Sequence, residues 1–513
     1  MIPILTVSQM RAIDQQVIGN NPDVGFTYMI RAGEGLFDAA KELVPDPKSG
    51  DVAIICGKGN NGGDGFTVGK LLIGAGYTVM CYTLCQPEEL KGEAKIAFEK
   101  YDDIEGNFLV LDDVADLEAL PKCSLIIDAI LGTGIKGDPH GVSADVIVAI
   151  NSAGVRILSA DTPSGLDNDT GIAGNPCVEA AMTMAMGYPK IGSFFYPGRS
   201  RVGQIRVKAL GYPADIVEKI SSSLFLPERD ELRRMLPPRK PAGTKFDHGQ
   251  CLMVCGSRGM TGSASLTSLA ALRTGCGMVH CASPESVIPI LAIKLTEVVL
   301  HGIRETKSGT PSLAAAEFLT EKSKGCQVLC IGPGMSHDEE TSRLVRHLVA
   351  HSTLPVVLDA DGINAFKGNA ALLKNHKAPL VITPHGGEWA RVFGILPPQP
   401  VAIVKEIQDA AKEYDMTILY KGNPTIIAAP SGAAFLSPYG NSGMATAGSG
   451  DVLSGIIASL VAQGASAPDA AILGAHVHGT AGDAARDTLG EYSMIARDII
   501  ENIHTVLKKL VAA

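Results

Sequence analysis

The chain has no run of basic residues, and 44 Lys+Arg against 54 Asp+Glu leave a formal net charge of −10. A sequence-independent nucleic-acid binder needs a positive face, so that class is set aside. No apolar stretch is long and unbroken enough to span a bilayer. The nearest, Val452 to Pro468, is interrupted by Ser, Gly and Gln and reads as a buried helix. The start, Met1 to Ile18, lacks a charged leading region and a small-residue cleavage site. It reads instead as an amphipathic helix beginning after Thr6 or Ser8. The eleven cysteines include no Cys-x-x-Cys pair. Cys81/Cys85, Cys251/Cys255 and Cys326/Cys330 share an i,i+4 spacing, but no His or carboxylate joins them in ligand spacing. Free core thiols in a reducing cytosol are the reading, and the expected setting is soluble and cytoplasmic. With 46% hydrophobic and 19% charged residues, disorder is excluded. Aromatics are few, at 5% with one Trp, whereas the 57 glycines suit the tight turns of α/β nucleotide folds.

At 513 residues, two or three domains are expected from roughly 100–200 residues per domain. Short β-rich runs alternate with helical patterns: strands at 51–56, 77–84, 124–130, 155–160 and 203–208, and a helix at 63–75. Such alternation predicts a parallel sheet with helices on both faces. Leu226 to Gly243 (LPERDELRRMLPPRKPAG) has the charge and proline content of a linker. Beyond it the pattern restarts: strands at 250–255, 278–282, 328–331, 355–358, 379–382 and 417–420, with a helix at 261–274. No short repeat period is visible. Two α/β domains follow, 1–225 and 226–513.

In the first domain Cys56-Gly-Lys-Gly-Asn-Asn-Gly-Gly-Asp-Gly65 follows a strand and opens a helix. Backbone N–H groups of a glycine-rich turn can approach a phosphate, and the helix start favours the anion. The string is neither GxGxxG nor a Walker loop. Asn60, Asn61 and Asp64 add oxygens suited to a cation or sugar hydroxyls. Asp128 ends LIIDAI before Leu131-Gly-Thr-Gly-Ile-Lys-Gly137, and Asp161 ends RILSAD before Thr162-Pro-Ser-Gly-Leu-Asp167. One such Asp could merely cap a helix; polar groups from several strand ends make a site. Asn61, Asp128 and Ser164 form a plausible hard-cation set, which leaves Asp161 for proton transfer.

GKGNNGGDG, LGTGIKG and DTPSGLD together resemble the YjeF amino-terminal domain, the NAD(P)H-hydrate epimerase, over roughly residues 1–215. That resemblance implies a Rossmann-like domain. In it Asn60, Asn61, Gly62, Gly63, Asp64 and Gly132, Thr133, Gly134, Ile135, Lys136, Gly137, Asp138 bind the hydrated dinucleotide. Asp161 would be substrate contact and catalyst, and Asn61, Asp128 and Ser164 would hold potassium. The reaction would interconvert R and S hydrates at C6 of the nicotinamide ring.

In the second domain Ala445-Thr-Ala-Gly-Ser-Gly-Asp-Val-Leu-Ser-Gly455 leads into an apolar helix. Gly448, Ser449 and Gly450 can gather N–H groups at a helix start, an anion hole for a transferring phosphoryl group. Asp451 beside them can take a proton from an attacking hydroxyl. GxGD alone is also a common turn, but YKGNPT, IGPG, LDADGIN and TPHGGE each follow an apolar strand. His476 and His478 are i,i+2 and point apart on a helix, which argues against a metal pair.

With CGSRGMTGSA added, these strings resemble the ribokinase-like superfamily, and more closely the YjeF carboxy-terminal domain, the NAD(P)H-hydrate dehydratase, over roughly 235–505. By that resemblance Ala264, Gly334, His385 and Asp451 contact the hydrate. Lys421, Gly422, Asn423, Pro424, Thr425 and Gly450 contact the phosphoryl donor, Asp451 is the base, and Mg²⁺ neutralises the donor phosphates. Ser442 and Ala447 depart from the family pattern, where proline and glycine are frequent. The fused arrangement resembles the prokaryotic form, which uses ADP. The implied partners are NADHX, NADPHX and ADP, with no nucleic acid and no membrane, in a homo-oligomer. Two rivals stand beside this reading: a ribokinase-like kinase of a vitamin or sugar, and a non-catalytic nucleotide-binding scaffold.

Overall fold

Strand–helix alternation in each half builds its own sheet. The computed structural model describes residues 1–19, 21–111, 113–221 and 223–512. Two compact units separate between Leu224 and Phe225. One holds Pro3–Leu224 with Gln399–Val401; the other holds Met1–Ile2, Phe225–Pro398 and the chain from Ala402 onward.

The first unit begins with α1 (Val7–Val17), capped by the Thr6 side chain, and α2 (Pro22–Leu43). Its sheet comprises β1 (Val52–Cys56), β2 (Val79–Thr83), β3 (Phe108–Val110), β4 (Leu125–Ala129), β5 (Ile157–Ala160), β6 (Met182–Met186) and β7 (Gln204–Lys208). All neighbours pair in parallel, in the order β3-β2-β1-β4-β5-β6-β7. The central strands are buried along their whole length, as parallel strands covered on both faces must be. Helix α3 starts at Asn60 rather than near Gly63 and runs to Gly74, so Asn-Asn-Gly-Gly-Asp is its first turn and not a loop. The glycines serve close packing there: a Cβ on Gly62 would lie 1.9 Å from the Gly57 carbonyl oxygen.

The 226–243 segment is not all linker. Glu228 and Glu231 cap α4 (Arg229–Met235), and Leu232 is buried in the core of the second unit. Leu232, with Met235 half-buried beside the same core, anchors this two-turn helix among its charges. The unit continues with β8 (Gln250–Val254), α5 (Thr261–Thr274), β9 (Met278–Pro284), β10 (Val299–Ile303), β11 (Val328–Ile331), α6 (Glu339–His351), β12 (Val356–Leu358), α7 (Asp361–Asn364), β13 (Leu380–Ile382) and α8 (Gly386–Val392). It ends with β14 (Thr417–Tyr420), β15 (Thr425–Ala428), β16 (Ala434–Ser437), α9 (Ser449–Ala462), α10 (Ala467–Leu489) and α11 (Ala496–Val511). These nine strands lie in the order β16-β15-β14-β13-β12-β11-β8-β9-β10. Seven are mutually parallel; β14, β15 and β16 form an antiparallel meander. Helix α9 is buried almost all round, as its composition predicts. It lies tight against α5: a Cβ on Gly455 would meet the Thr267 carbonyl oxygen at 2.2 Å.

Candidate active sites

In open α/β sheets ligands bind outside the carboxyl ends of the strands, where strand order reverses. In the first unit that point lies between β1 and β4. A cavity of about 800 Å³ opens there, lined by Asn60, Asn61, Asp64, Gly132, Thr133, Gly134 and Asp161 among others. No side chain caps α3, so its N-terminal N–H groups remain for a ligand. Asp128 is fully buried. Its carboxylate accepts hydrogen bonds from Ser164 Oγ (2.5 Å), Ser159 Oγ (2.8 Å) and the Ser164 and Ile130 N–H groups. All of these partners are neutral, and burial raises its pKa. Asn61 Nδ2 donates to the Leu131 carbonyl (3.2 Å), and Ser164 Oγ accepts from Leu131 N–H (2.8 Å). Asn61 and Ser164 therefore meet at Leu131, and Ser164 links Asp128 to them; the side-chain oxygens of the three are a donor set that fits a potassium ion.

Asp161 has φ +61°, a left-handed conformation costly for a non-glycine residue and found mostly at functional sites. Its Oδ1 accepts from Met186 N–H (2.9 Å) and forms an ion pair with Lys190 Nζ. Lys190 is itself only 2% exposed. Two further carboxylates feel this pair. Burial, then the charge of Asp161, push Asp64 well above the usual carboxylate range, with Lys190 opposing. Burial also raises Asp14, which accepts the Tyr212 hydroxyl at 2.7 Å. Asp64 is thus the carboxyl disposed to hold a proton beside a salt-bridged Asp161.

In the second unit a cavity of about 770 Å³ is lined by His385, Lys421, Gly422, Asn423, Thr425 and Gly448, Ser449, Gly450 among others. Gly448 caps α9 at φ +91° without a side-chain bond, leaving N–H groups open. A Cβ on Gly450 would lie 3.3 Å from Lys421 Nζ, so the helix start stands directly over that cation. Lys421 bonds Asp359 Oδ1 at 2.8 Å and lies 3.7 Å from Glu388. Asp359 also accepts from Thr383 Oγ1 (2.7 Å) and Ser454 Oγ (2.6 Å). Burial would raise Asp359, but the Lys421 charge and these bonds outweigh it and hold it low. Asp451 behaves oppositely: burial, then the like charge of Asp359, push it up to about 6. The Ser263 side chain opposes that rise. A Cβ on Gly334 would meet Ser263 Cβ at 2.8 Å, which brings the IGPG turn against the start of α5.

Several expected residues stand elsewhere. Ile135, Lys136, Gly137 and Asp138 do not line the first cavity, and Asp138 accepts the Asn175 N–H at 2.8 Å. Gly62 and Gly63 are buried beneath it. Ala264 is fully buried, so Ser263 presents the polar surface there. His385 caps α8 by accepting the Gly387 N–H at Nδ1, 2.9 Å away. The two HxH histidines do diverge. His476 packs edge-on against Tyr439, while His478, held neutral by burial with a pKa of about 4, donates to the Ser449 carbonyl at 2.9 Å. Lys190, Asp14 and Tyr212 escape the sequence reading, whereas Asp359 and Glu388 stand in its LDADGIN and TPHGGE strings without a role of their own. Lys190 alone carries a signal, a lone lysine closing the apolar run AMTMAMGYPK.

A family model described as YjeF-related protein N-terminus matches residues 26–192, and one described as NAD(P)H-hydrate dehydratase matches 251–505. The bifunctional NAD(P)H-hydrate repair enzyme Nnr of Moorella thermoacetica is 40% identical over 468 residues, covering 90% of this chain and 88% of that protein. The chain belongs to the bifunctional NAD(P)H-hydrate repair enzymes. A second member of the family, from Thermofilum pendens, is 34% identical over 514 residues, 99% of this chain and 96% of its own. Among solved structures, the ADP/ATP-dependent NAD(P)H-hydrate dehydratase of Bacillus subtilis co-crystallized with ATP/Mg²⁺ is 26% identical at a TM-score of 0.46, covering 56% of this chain and 98% of that one. Membership in the repair-enzyme family displaces both rival readings, the small-molecule kinase and the non-catalytic scaffold.

Proposed function

We propose that residues 1–225 epimerise the R and S hydrates of NADH and NADPH, and that residues 226–513 dehydrate the S form with ADP, giving AMP and phosphate. What carries the reading is that each unit has its own cavity at a strand-end edge, with one member of a carboxylate–lysine pair in its wall, Asp161 of Asp161–Lys190 and Lys421 of Lys421–Asp359, and a second carboxyl raised by burial interacting with that pair.

In the epimerase, protonated Asp64 gives its proton to the departing C6 hydroxyl, which leaves as water while the ring nitrogen supports C6. Water returns to the opposite face and its proton passes to Asp161, whose orientation Lys190 fixes. Asn61, Asp128 and Ser164 would hold a potassium ion, which would supply fixed positive charge to the site. In the dehydratase, Asp451 accepts the proton of the C6 hydroxyl as its oxygen takes the terminal phosphoryl group of ADP. The α9 N–H groups and Lys421 stabilise the charge that develops. The C6–O bond then breaks, phosphate leaves, and loss of a C5 proton restores the ring double bond. Mg²⁺ would be carried mainly by the donor phosphates and would neutralise their charge. ADP is the donor by the fused arrangement. The eleven free thiols support a reducing, cytoplasmic setting.

The test is recovery of NADH fluorescence from purified NADHX epimers with K⁺, Mg²⁺ and ADP or ATP. Recovery from both epimers, lost in Asp451→Ala and lost only for the R form in Asp161→Ala, is expected. Consumption of nucleotide without NADH would overturn the reading.

A further inference from the structure

Another cavity in the second unit, of about 880 Å³, has no role in the chemistry above. Arg346, Lys367 and Arg391 line it, with neutral Ser342, Asn364 and Asn369 between them. Its one carboxylate, Glu339, is taken by Arg346 at 2.5 Å. The balance of charge is positive, in a chain whose net charge is −10. The donor cavity differs, because Lys421 there is already balanced by Asp359 and Glu388.

The cavity also adjoins the dehydratase centre. Past Gly334, the Ser336 N–H donates to Asp361 Oδ2 at 2.7 Å, and His337, which lines the cavity, lies 3.5 Å from Asp361 Oδ1. From Asp361, α7 runs one turn to Asn364, whose Oδ1 accepts from Arg391. Helix α8 joins the two places directly. His385 at its cap lines the donor cavity, and Arg391, six residues on, lines this one. At 1.5 Å rise per residue the separation is about 9 Å.

We infer that this cleft receives the pyrophosphate-bearing arm of the hydrated dinucleotide, with Arg391 and Lys367 as its anion contacts, while the nicotinamide end lies at Asp451. The inference rests on the proposed dehydratase. A dinucleotide is long and carries its charge away from the reacting ring, so a catalytic centre built for that ring leaves the phosphates to a second, cationic place. Arginine suits such a group because its planar fork matches phosphate oxygens.

The experiment measures dehydration of (S)-NADHX by wild type, Arg391→Gln and Lys367→Gln at saturating ADP, with the hydrate of reduced nicotinamide mononucleotide as a substrate lacking the pyrophosphate bridge. The expected result is a KM for NADHX raised about tenfold in each variant, with kcat and the KM for ADP near wild type. On the truncated substrate the variants match wild type. Lys367→Gln keeps the test independent of the Arg391–Asn364 contact. An unchanged KM for NADHX, a raised KM for ADP, or an equal loss on both substrates would overturn the cleft assignment alone. A wild type inactive on NADHX would overturn the dehydratase reading and the cleft with it.

Discussion

Asp451 has to be ionised to accept a proton, and its pKa of about 6 sets where that fails. Dehydration is therefore expected to decline as pH falls through about 6, not near the ordinary carboxylate value, and a pH–kcat profile reads this directly. Asp359 helps set that limb. Removing its charge in Asp359→Asn relieves the like-charge repulsion and leaves Lys421 nearer an unbalanced cation, and both effects favour ionised Asp451. The acid limb of the residual activity should move to lower pH. A shift upward would contradict the arrangement. In the other unit, Lys190→Met leaves Asp161 and Asp64 facing each other without their cation. Breaking so buried a pair costs about 3 kcal/mol. The R-to-S rate should collapse, and denaturant midpoints read by first-unit probes should fall.

At the scale of elements, the α9 start depends on a residue that can hold a left-handed turn. Gly448 has φ +91°, and a Cβ there would lie 2.4 Å from Leu266 Cδ1. Gly448→Ala must rotate the helix start away from Lys421. The KM for ADP should rise about tenfold or more, while R-to-S epimerisation in the same chain is unchanged. The sequence makes α9 and its GSGD turn readable because a glycine pair followed by a long, mostly apolar run allows little else. The same holds for β1, β4 and β5, whose apolar runs end in Gly or Asp. Other elements hide for physical reasons. Strand β6 is MTMAM, with Thr183 as its one β-branched residue, and it forms a strand because it is buried between two neighbours. The β15–β16 meander is two short strands joined around Pro430 and Gly432, and its hairpin pairing is tertiary information. Asp359 and Asp361 both stand in LDADGIN, yet only the folded chain distinguishes the ion-paired partner of Lys421 from the carboxylate that receives the Ser336 N–H. Lys190 becomes legible as a site residue only once β6 brings it beneath Asp161.

For the whole molecule, the described residues that line each cavity come from one unit. The lining of the first cavity runs from Arg11 to Tyr212 and that of the donor cavity from His385 to Gly479. The only thing the two centres must share is the S hydrate, a soluble metabolite that the first produces and the second consumes. Two chains, each inactive at one centre, should then complement in solution. Asp161→Ala retains the dehydratase and Asp451→Ala the epimerase. Each alone leaves the R hydrate unrepaired, the first because it cannot convert it and the second because it cannot dehydrate it. Mixed at equal concentration, they should regenerate NADH from pure (R)-NADHX, with a lag that shortens as total protein rises, since the intermediate must diffuse between molecules. Fusion would then serve to fix the ratio of the two activities. Failure of the mixture, with both single activities intact, would mean that the S hydrate does not leave the chain that makes it.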